Sequence, residues 1–279
     1  MKEQLTGKRI GICCKKGLGW KHLMHSIDGM GFEHVELGIP GSDPDSPMFD
    51  AFYLQQIRAL AEERELPLSV HSPMGTNLAE KVNRIREVSV QIVCEAVKTA
   101  ETLGARWVTV HLGSAGFSNA ESAQKSRCMD IVASAVREIL QRTEGSPVQL
   151  GLENLPCNPA ELGFCRMGDR GEELRYVLDQ VSSDRLGVII DLAHARITAS
   201  DTAFRELVTA VRERILGFHV HWNDRMTDTH SAIPRKARAE LEGYLETIRE
   251  LVTADAPLLL ESYKLEDNLT SLHVLRGTL

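Results

Sequence analysis

Six stretches that read as β-strands each end on a histidine or a carboxylate. LSVHS carries His71, WVTVHL His111, VQLGLEN Glu153, GVIIDLAH Asp191, ILGFHVH His221 and PLLLES Glu261. Each has an apolar body and one polar terminus. If the strands run parallel, the six termini converge on one end of the sheet. In an α/β barrel that end carries the active site, because strand tips and βα-loops meet there. Asp and Glu number 39 and His 10 in 279 residues, close to one in six. Six independent coincidences would then arise by chance on the order of 10⁻⁵ of the time, and choosing the frame at each strand end raises that without erasing the signal. The inference rests on the set, because a lone histidine at a strand end is usually a hydrogen-bonded structural residue.

Strand-like and helix-like patterns alternate from end to end. KRIGICC, FEHVELG, PLSVHS, RWVTVHL, VQLGLEN, LGVIIDL, ILGFHVH and PLLLES are the predicted strands. Between them lie predicted helices. MFDAFYLQQIRALAEER has an apolar stripe of Phe49, Phe52, Leu54, Ile57 and Leu60, a second helix runs from Leu78 to Leu103 and closes at Gly104, and a third spans Ala120 to Arg142. PGSDPDSP and LPCNPAELGFCRMGDRG read as loops. Eight such alternations in a chain of this length, undivided by any linker, predict an α/β fold. It is a single (β/α)8 TIM barrel domain over residues 1–279. Gly151, Gly187 and Gly217 share the inward parity of Glu153, Asp191 and His221, which leaves room near the barrel axis.

Composition bounds the function. The hydrophobic share of 43% supports a full core, and the net charge of −7 does not favour a polyanionic partner. No apolar run approaches the ~20 residues of a membrane span, and the amino-terminal stretch has no signal-peptide core. Cys13, Cys14, Cys94, Cys128, Cys157 and Cys165 form no CxxC pair. Unpaired thiols without an export signal predict a cytoplasmic protein.

Two further pairs extend the ligand set. Asp191-Leu-Ala-His194 places an imidazole on the turn leaving its strand, and Asp228-Thr-His230 lies in the loop after the next one. The candidate metal ligands are thus His71, His111, Glu153, Asp191, His194, His221, Asp228, His230 and Glu261. An all-His/carboxylate set suits Zn²⁺, Mn²⁺, Co²⁺ or Fe²⁺. Since catalytic zinc needs only three protein ligands, nine can hold one to three divalent metals per chain.

HSPMGTNLA, WVTVHLGS, LENLP, IIDLAHAR, HVHWND with the following DTH, and LLLES together resemble the xylose-isomerase-like TIM-barrel superfamily. That group includes the endonuclease IV type of apurinic endonuclease and many sugar isomerases and epimerases. The resemblance covers roughly residues 32–262. In the endonuclease branch the matching positions bind three zinc ions, and every ligand position has a counterpart here. In the isomerase and epimerase branch one divalent metal is held by the counterparts of Glu153, Asp191, His221 and Glu261, and the two glutamates also transfer protons. The departures from the endonuclease pattern are specific. Met74 stands where that branch has a DNA-intercalating aromatic residue. GIPGSDPDSP offers no match to its wedging residues, and SAIPRKARAE replaces a glycine-rich turn after DTH. FEHVELG, with Glu36, is similar to the sugar-isomerase branch.

The expectation is therefore a metal-dependent isomerase or epimerase of a sugar or related polyol ketone. Glu153 and Glu261 are its catalytic residues, and His71, His111, His194, Asn154, Asn223 and Arg225 are the substrate-binding candidates. A glutamate takes the proton beside a carbonyl, and a Lewis acid stabilises the enediolate. An endonuclease IV-like phosphodiesterase is the second reading, and a non-catalytic sugar-binding or assembly subunit the third. The four ligand carboxylates decide between the first two by charge. Three divalent ions leave the cluster positive and suited to a phosphodiester, whereas one or two leave it negative or neutral. The expected partner is a small-molecule sugar or polyol; nucleic acid is disfavoured, no membrane is expected, and homo-oligomerisation stays open. His219 shares the inward parity of His221 and serves either as a donor behind the ligands or in the buried core.

Overall fold

The computed structural model describes residues 8–14, 19–40, 50–116, 122–157, 165–198, 201–252 and 255–277. Its core is a closed barrel of eight parallel strands. In chain order these are β1 (Ile10–Cys14), β2 (Val35–Gly38), β3 (Leu68–His71), β4 (Trp107–His111), β6 (Gln149–Glu153), β8 (Leu186–Asp191), β9 (Ile215–Val220) and β10 (Leu258–Leu260). They close through the pairing of β1 with β10. The helices α1 (Trp20–Ser26), α2 (Ala51–Glu63), α3 (Asn83–Leu103), α4 (Ser122–Arg142), α5 (Gly171–Val181), α7 (Asp201–Val211), α8 (Arg238–Leu251) and α9 (Leu265–Arg276) form the outer layer. The (β/α)8 architecture read from the alternation is thus present. Among the described residues no helix is long and apolar enough to cross a membrane.

Strand alternation separates two cores. Val35, Val70, Val108, Leu150, Val188 and Phe218 point outward into the large strand–helix core, while Cys13, Trp107, Ile189 and Leu259 pack against one another inside the barrel. The inward glycines make that packing possible. A Cβ on Gly151 would lie 2.8 Å from Ile189 Cγ1, and one on Gly217 would lie 3.4 Å from Trp107 Cζ2. The space expected near the axis is therefore taken up by Trp107 and Ile189. Cys13 is the inward and Cys14 the outward member of their pair.

Local signals set the helix ends. Gly104 adopts φ 69° at the end of α3, and its N–H bonds back to Ala100 and Glu101, a conformation that glycine adopts at little cost. Asp50 caps α2 by accepting from the Phe52 N–H at 2.9 Å. The buried stripe of α2 is Leu54, Ile57 and Ala61; Phe52, placed on that stripe by periodicity, is 67% exposed. Phe49, residues 41–47 of the PGSDPDSP loop and the Ala120 helix start lie outside the described residues.

Three elements were not predicted. Ser114–Ala115 (β5) pairs antiparallel with Cys165–Arg166 (β7) inside the stretch read as irregular, tying the loop after β4 to the loop after β6. Leu192–Thr198 forms a helix, α6, directly from the end of β8 where a turn was expected. Two-residue strands and a seven-residue helix are too short for hydrophobic periodicity to register.

Candidate metal centre

The strand ends bring their polar residues together at one mouth of the barrel. At the tips of β3, β4 and β6, His71 Nε2 lies 3.2 Å and His111 Nε2 2.9 Å from Glu153 Oε2. Toward the axis, Glu153, Asp191, Glu261 and His219 each place a potential ligand atom within 4.8 Å of the others. On the far side, Asp228 Oδ2 lies 3.2 Å from His194 Nε2 and 3.3 Å from His230 Nε2. His221 Nε2 is 3.2 Å from Asp191 Oδ2 and 3.5 Å from Asp228 Oδ1, so it links the central group to the far one. All nine ligand candidates converge. One detail differs from the expected quartet of Glu153, Asp191, His221 and Glu261. His221 clusters with His194, Asp228 and His230, and His219 takes the fourth corner beside the carboxylates.

The order within this site follows from the backbone. His71 Nδ1 lies 2.7 Å from the Ser72 carbonyl, His194 Nδ1 2.8 Å from that of Asn154, and His230 Nδ1 2.8 Å from that of Glu261. A carbonyl only accepts, so each Nδ1 carries the proton and each Nε2 is left facing the carboxylates. Metal-binding histidines are oriented in this way. The loop bearing Asp228 and His230 is closed by a two-way backbone bridge between Trp222 and Ser231, both bonds 2.9 Å. His230 itself sits at φ 47°, a left-handed conformation uncommon outside glycine that lets its ring stack on His221 with centroids 3.9 Å apart. SAIPRKARAE thus returns Asp228 and His230 to the centre without a glycine-rich turn.

Electrostatics fits a cation. Glu153, Asp191 and Glu261 are all buried, and so many carboxylates in a dry site need positive partners. Neighbouring imidazoles supply such charge. Burial opposes protonation of His194, but Asp191, Asp228 and Glu153 outweigh it and push the group up to about 10. His219 is raised for the same reason, with Glu261, Glu153 and Glu36 overcoming its burial. Asp228 is held well below the usual carboxylate range: burial works against its charge, but hydrogen bonds from His194 and His230 prevail. Borderline nitrogens and hard oxygens, oriented and buried together, suit Zn²⁺, Mn²⁺, Co²⁺ or Fe²⁺. A divalent ion would replace the imidazole protons.

Three expected substrate contacts are otherwise engaged. Asn154 Oδ1 accepts from the Asp191 N–H at 2.7 Å and its Nδ2 donates to the Asp191 carbonyl at 3.0 Å, so this amide holds β8 in place. Asn223 Nδ2 donates to the Ala193 carbonyl at 2.6 Å, and its Oδ1 accepts from Arg196 Nη1 and the Arg225 N–H. The Arg225 side chain turns outward to Glu240, 2.5 Å away. Backbone groups at strand ends compete for such side chains.

Sequence reasoning passed over Arg196, the last residue of IIDLAHAR. Its guanidinium is buried 3.6 Å over the Trp222 ring, pairs with Glu240 at 2.9 Å and donates to the Asn223 carbonyl at 2.8 Å. Its place two residues after His194 was the available clue. Tyr263, half exposed two residues beyond Glu261, stacks on His230 with centroids 4.6 Å apart. Among the described residues, Cys157 and Cys165 belong to none of the ligand groups. Burial pushes the Cys165 thiol up to about 11, while Cys157 lines a separate cavity of 450 Å³ with Lys125, Asp169 and Glu173.

The profile of the xylose isomerase-like TIM barrel family matches residues 26–270. An uncharacterized protein of Methanocaldococcus jannaschii is 26% identical over 254 residues, 91% of this chain and 82% of its own. A probable endonuclease 4 of Campylobacter concisus is 25% identical over 206 residues, 69% of each chain. Among solved structures, a D-tagatose 3-epimerase-like protein superposes with a TM-score of 0.78 over 96% of both chains at 23% identity.

Proposed function

The chain belongs to the xylose isomerase-like TIM barrel family, and on that premise we propose that it is a metal-dependent isomerase or epimerase of a sugar or related polyol ketone. The observation that carries this reading is the convergence of two wholly buried glutamates, Glu153 from β6 and Glu261 from the end of β10, beside Asp191. A bound divalent metal would supply Lewis-acid stabilisation of a developing enediolate. Glu153, Asp191, His221 and Glu261 would hold it, with His71, His111, His194, Asp228 and His230 around them for further ions or substrate hydroxyls. One glutamate takes the proton from the carbon next to the carbonyl, and the other, or the same one, returns it. We also place the protein in the cytoplasm, in keeping with six cysteines that form no CxxC pair.

A second reading is kept, because His194, Asp228 and His230 form a further ligand group of the kind a phosphodiesterase with several ions needs. Against it stand the acidic chain and Met74, a 55% exposed thioether where a DNA wedge would be aromatic. Losing one stacking contact costs nucleic-acid binding ~1–3 kcal/mol. The test runs metal-loaded protein against a ketose panel in deuterated water and against abasic duplex DNA in parallel. The expected result is deuterium incorporation into a ketose and no incision of the duplex. Strand incision that disappears in Glu261→Gln, with no sugar labelled, would reverse the order. Tight sugar binding with neither reaction would favour the non-catalytic subunit.

A further inference from the structure

Below the metal centre the barrel interior holds an anion that the chemistry above leaves unused. Glu36, on β2, is wholly buried. Its Oε2 accepts hydrogen bonds from Ser69 Oγ at 2.9 Å, Trp107 Nε1 at 3.1 Å and Thr109 Oγ1 at 2.9 Å. Its Oε1 faces His219 Nε2 at 2.7 Å and Cys13 Sγ at 3.5 Å. An ionised carboxylate only accepts, so His219 Nε2 carries a proton toward it. The other ring nitrogen points upward. His219 Nδ1 lies 3.0 Å from Glu153 Oε1 and 3.4 Å from Glu261 Oε2. One imidazole thus connects an anchored anion on β2 to both proposed catalytic glutamates, on β6 and at the end of β10. The ring is further steadied by His71, stacked on it with centroids 5.8 Å apart and planes within 19°.

Filling space does not call for this arrangement. Barrel interiors are packed by apolar layers, and this one already has Cys13, Trp107, Ile189 and Leu259. A buried carboxylate with a full set of donors is costly to place there and serves to fix geometry. We propose that Glu36 and His219 are positioning residues, a prop inside the barrel that sets the orientation of Glu153 through a hydrogen bond to one of its oxygens and holds Glu261 from below by charge. The proposal rests on the reading that those glutamates hold metal and move protons. A glutamate anchored in this way has already lost the rotamer freedom that a loose one gives up at each turnover.

The test compares the parent protein with Glu36→Gln, which keeps the shape but presents an amide N–H to His219. Both are titrated with Co²⁺ and followed by visible absorption, thermal melting and, for any ketose that exchanges, steady-state kinetics. The expected result is a shifted d–d band and a ~10–100-fold loss of Co²⁺ affinity, the range seen when outer partners of ligands are removed. kcat for exchange falls by a similar factor of ~10–100, with KM within about threefold. An unchanged Co²⁺ spectrum and affinity in Glu36→Gln overturns the proposal. If that variant does not fold, His219→Asn is read by the same spectrum: its amide takes the place of Nδ1 and keeps Glu153 within reach but severs the link to Glu36. A parent-like spectrum there also overturns it. If no sugar exchanges in the parent, the isomerase reading fails, while the Co²⁺ spectrum still decides the prop.

Discussion

The two sides of the candidate metal centre are held by different kinds of structure. Glu153 and Asp191 end the barrel strands β6 and β8, and Glu261 follows β10, its N–H bonded to the Val220 carbonyl at 3.0 Å. His194, Asp228 and His230 stand on α6 and on the loop between β9 and α8. The strand-borne carboxylates are buried on all sides, whereas Asp228 leaves 31% of its side chain exposed and His230 needs a left-handed backbone. Side chains on a hydrogen-bonded barrel hold their geometry more tightly than side chains on a loop. Under the proposed isomerase reading, the strand-borne group is the one suited to proton transfer, and the loop-borne group would set how many ions the mouth can carry.

The largest effect belongs to the strand group. Glu153→Gln should lower proton exchange by ~10²–10⁴-fold, the usual worth of a positioned acid or base. Deuterium wash-in measured by NMR checks it, and a loss under tenfold would break the division. Asp228→Asn should weaken metal at the loop group by at least ~10-fold, the effect already produced by losing an outer partner. Metal counting after dialysis should then find one ion fewer in the variant, with exchange persisting. Equal loss of exchange in Asp228→Asn and Glu153→Gln would merge the two groups into one. Arg196→Lys should loosen only the loop side, because the planar guanidinium that covers Trp222 and reaches both Asn223 and Glu240 has no lysine equivalent. Stability should fall by about 1–3 kcal/mol in denaturant titration.

The smallest effect lies outside both groups. Burial pushes Glu173 up to about 7, with Asp169 adding to it and Lys125 opposing. Its folded value stands above its ordinary value of 4.5, so the stability it contributes is present below pH 4.5 and is lost as pH rises through about 7. Melting of the parent should therefore lose ground to Glu173→Gln across that window. Parallel melting curves at every pH would contradict this.

The strand-borne half was legible in the sequence because alternation puts every second residue inward, and a polar residue ending an apolar strand stands out. The loop-borne ligands were legible as residue types but not as a geometry, since His194 lies on a helix too short to announce itself and His230 depends on one backbone torsion. Glu36 and His219 could each be seen, but not their pairing, because the barrel joins residues far apart in sequence across its axis. Asn154, Asn223 and Arg225 had the chemistry for sugar hydroxyls. Backbone carbonyls and amides at the strand–helix junctions, and Glu240 on α8, claim them first.

The division between the two groups can be observed directly. Crystals grown with one equivalent of Mn²⁺, an oxygen-preferring ion, should give a single anomalous peak among Glu153, Asp191 and Glu261. A first peak between His194, Asp228 and His230, with none at the strand carboxylates, would contradict the account.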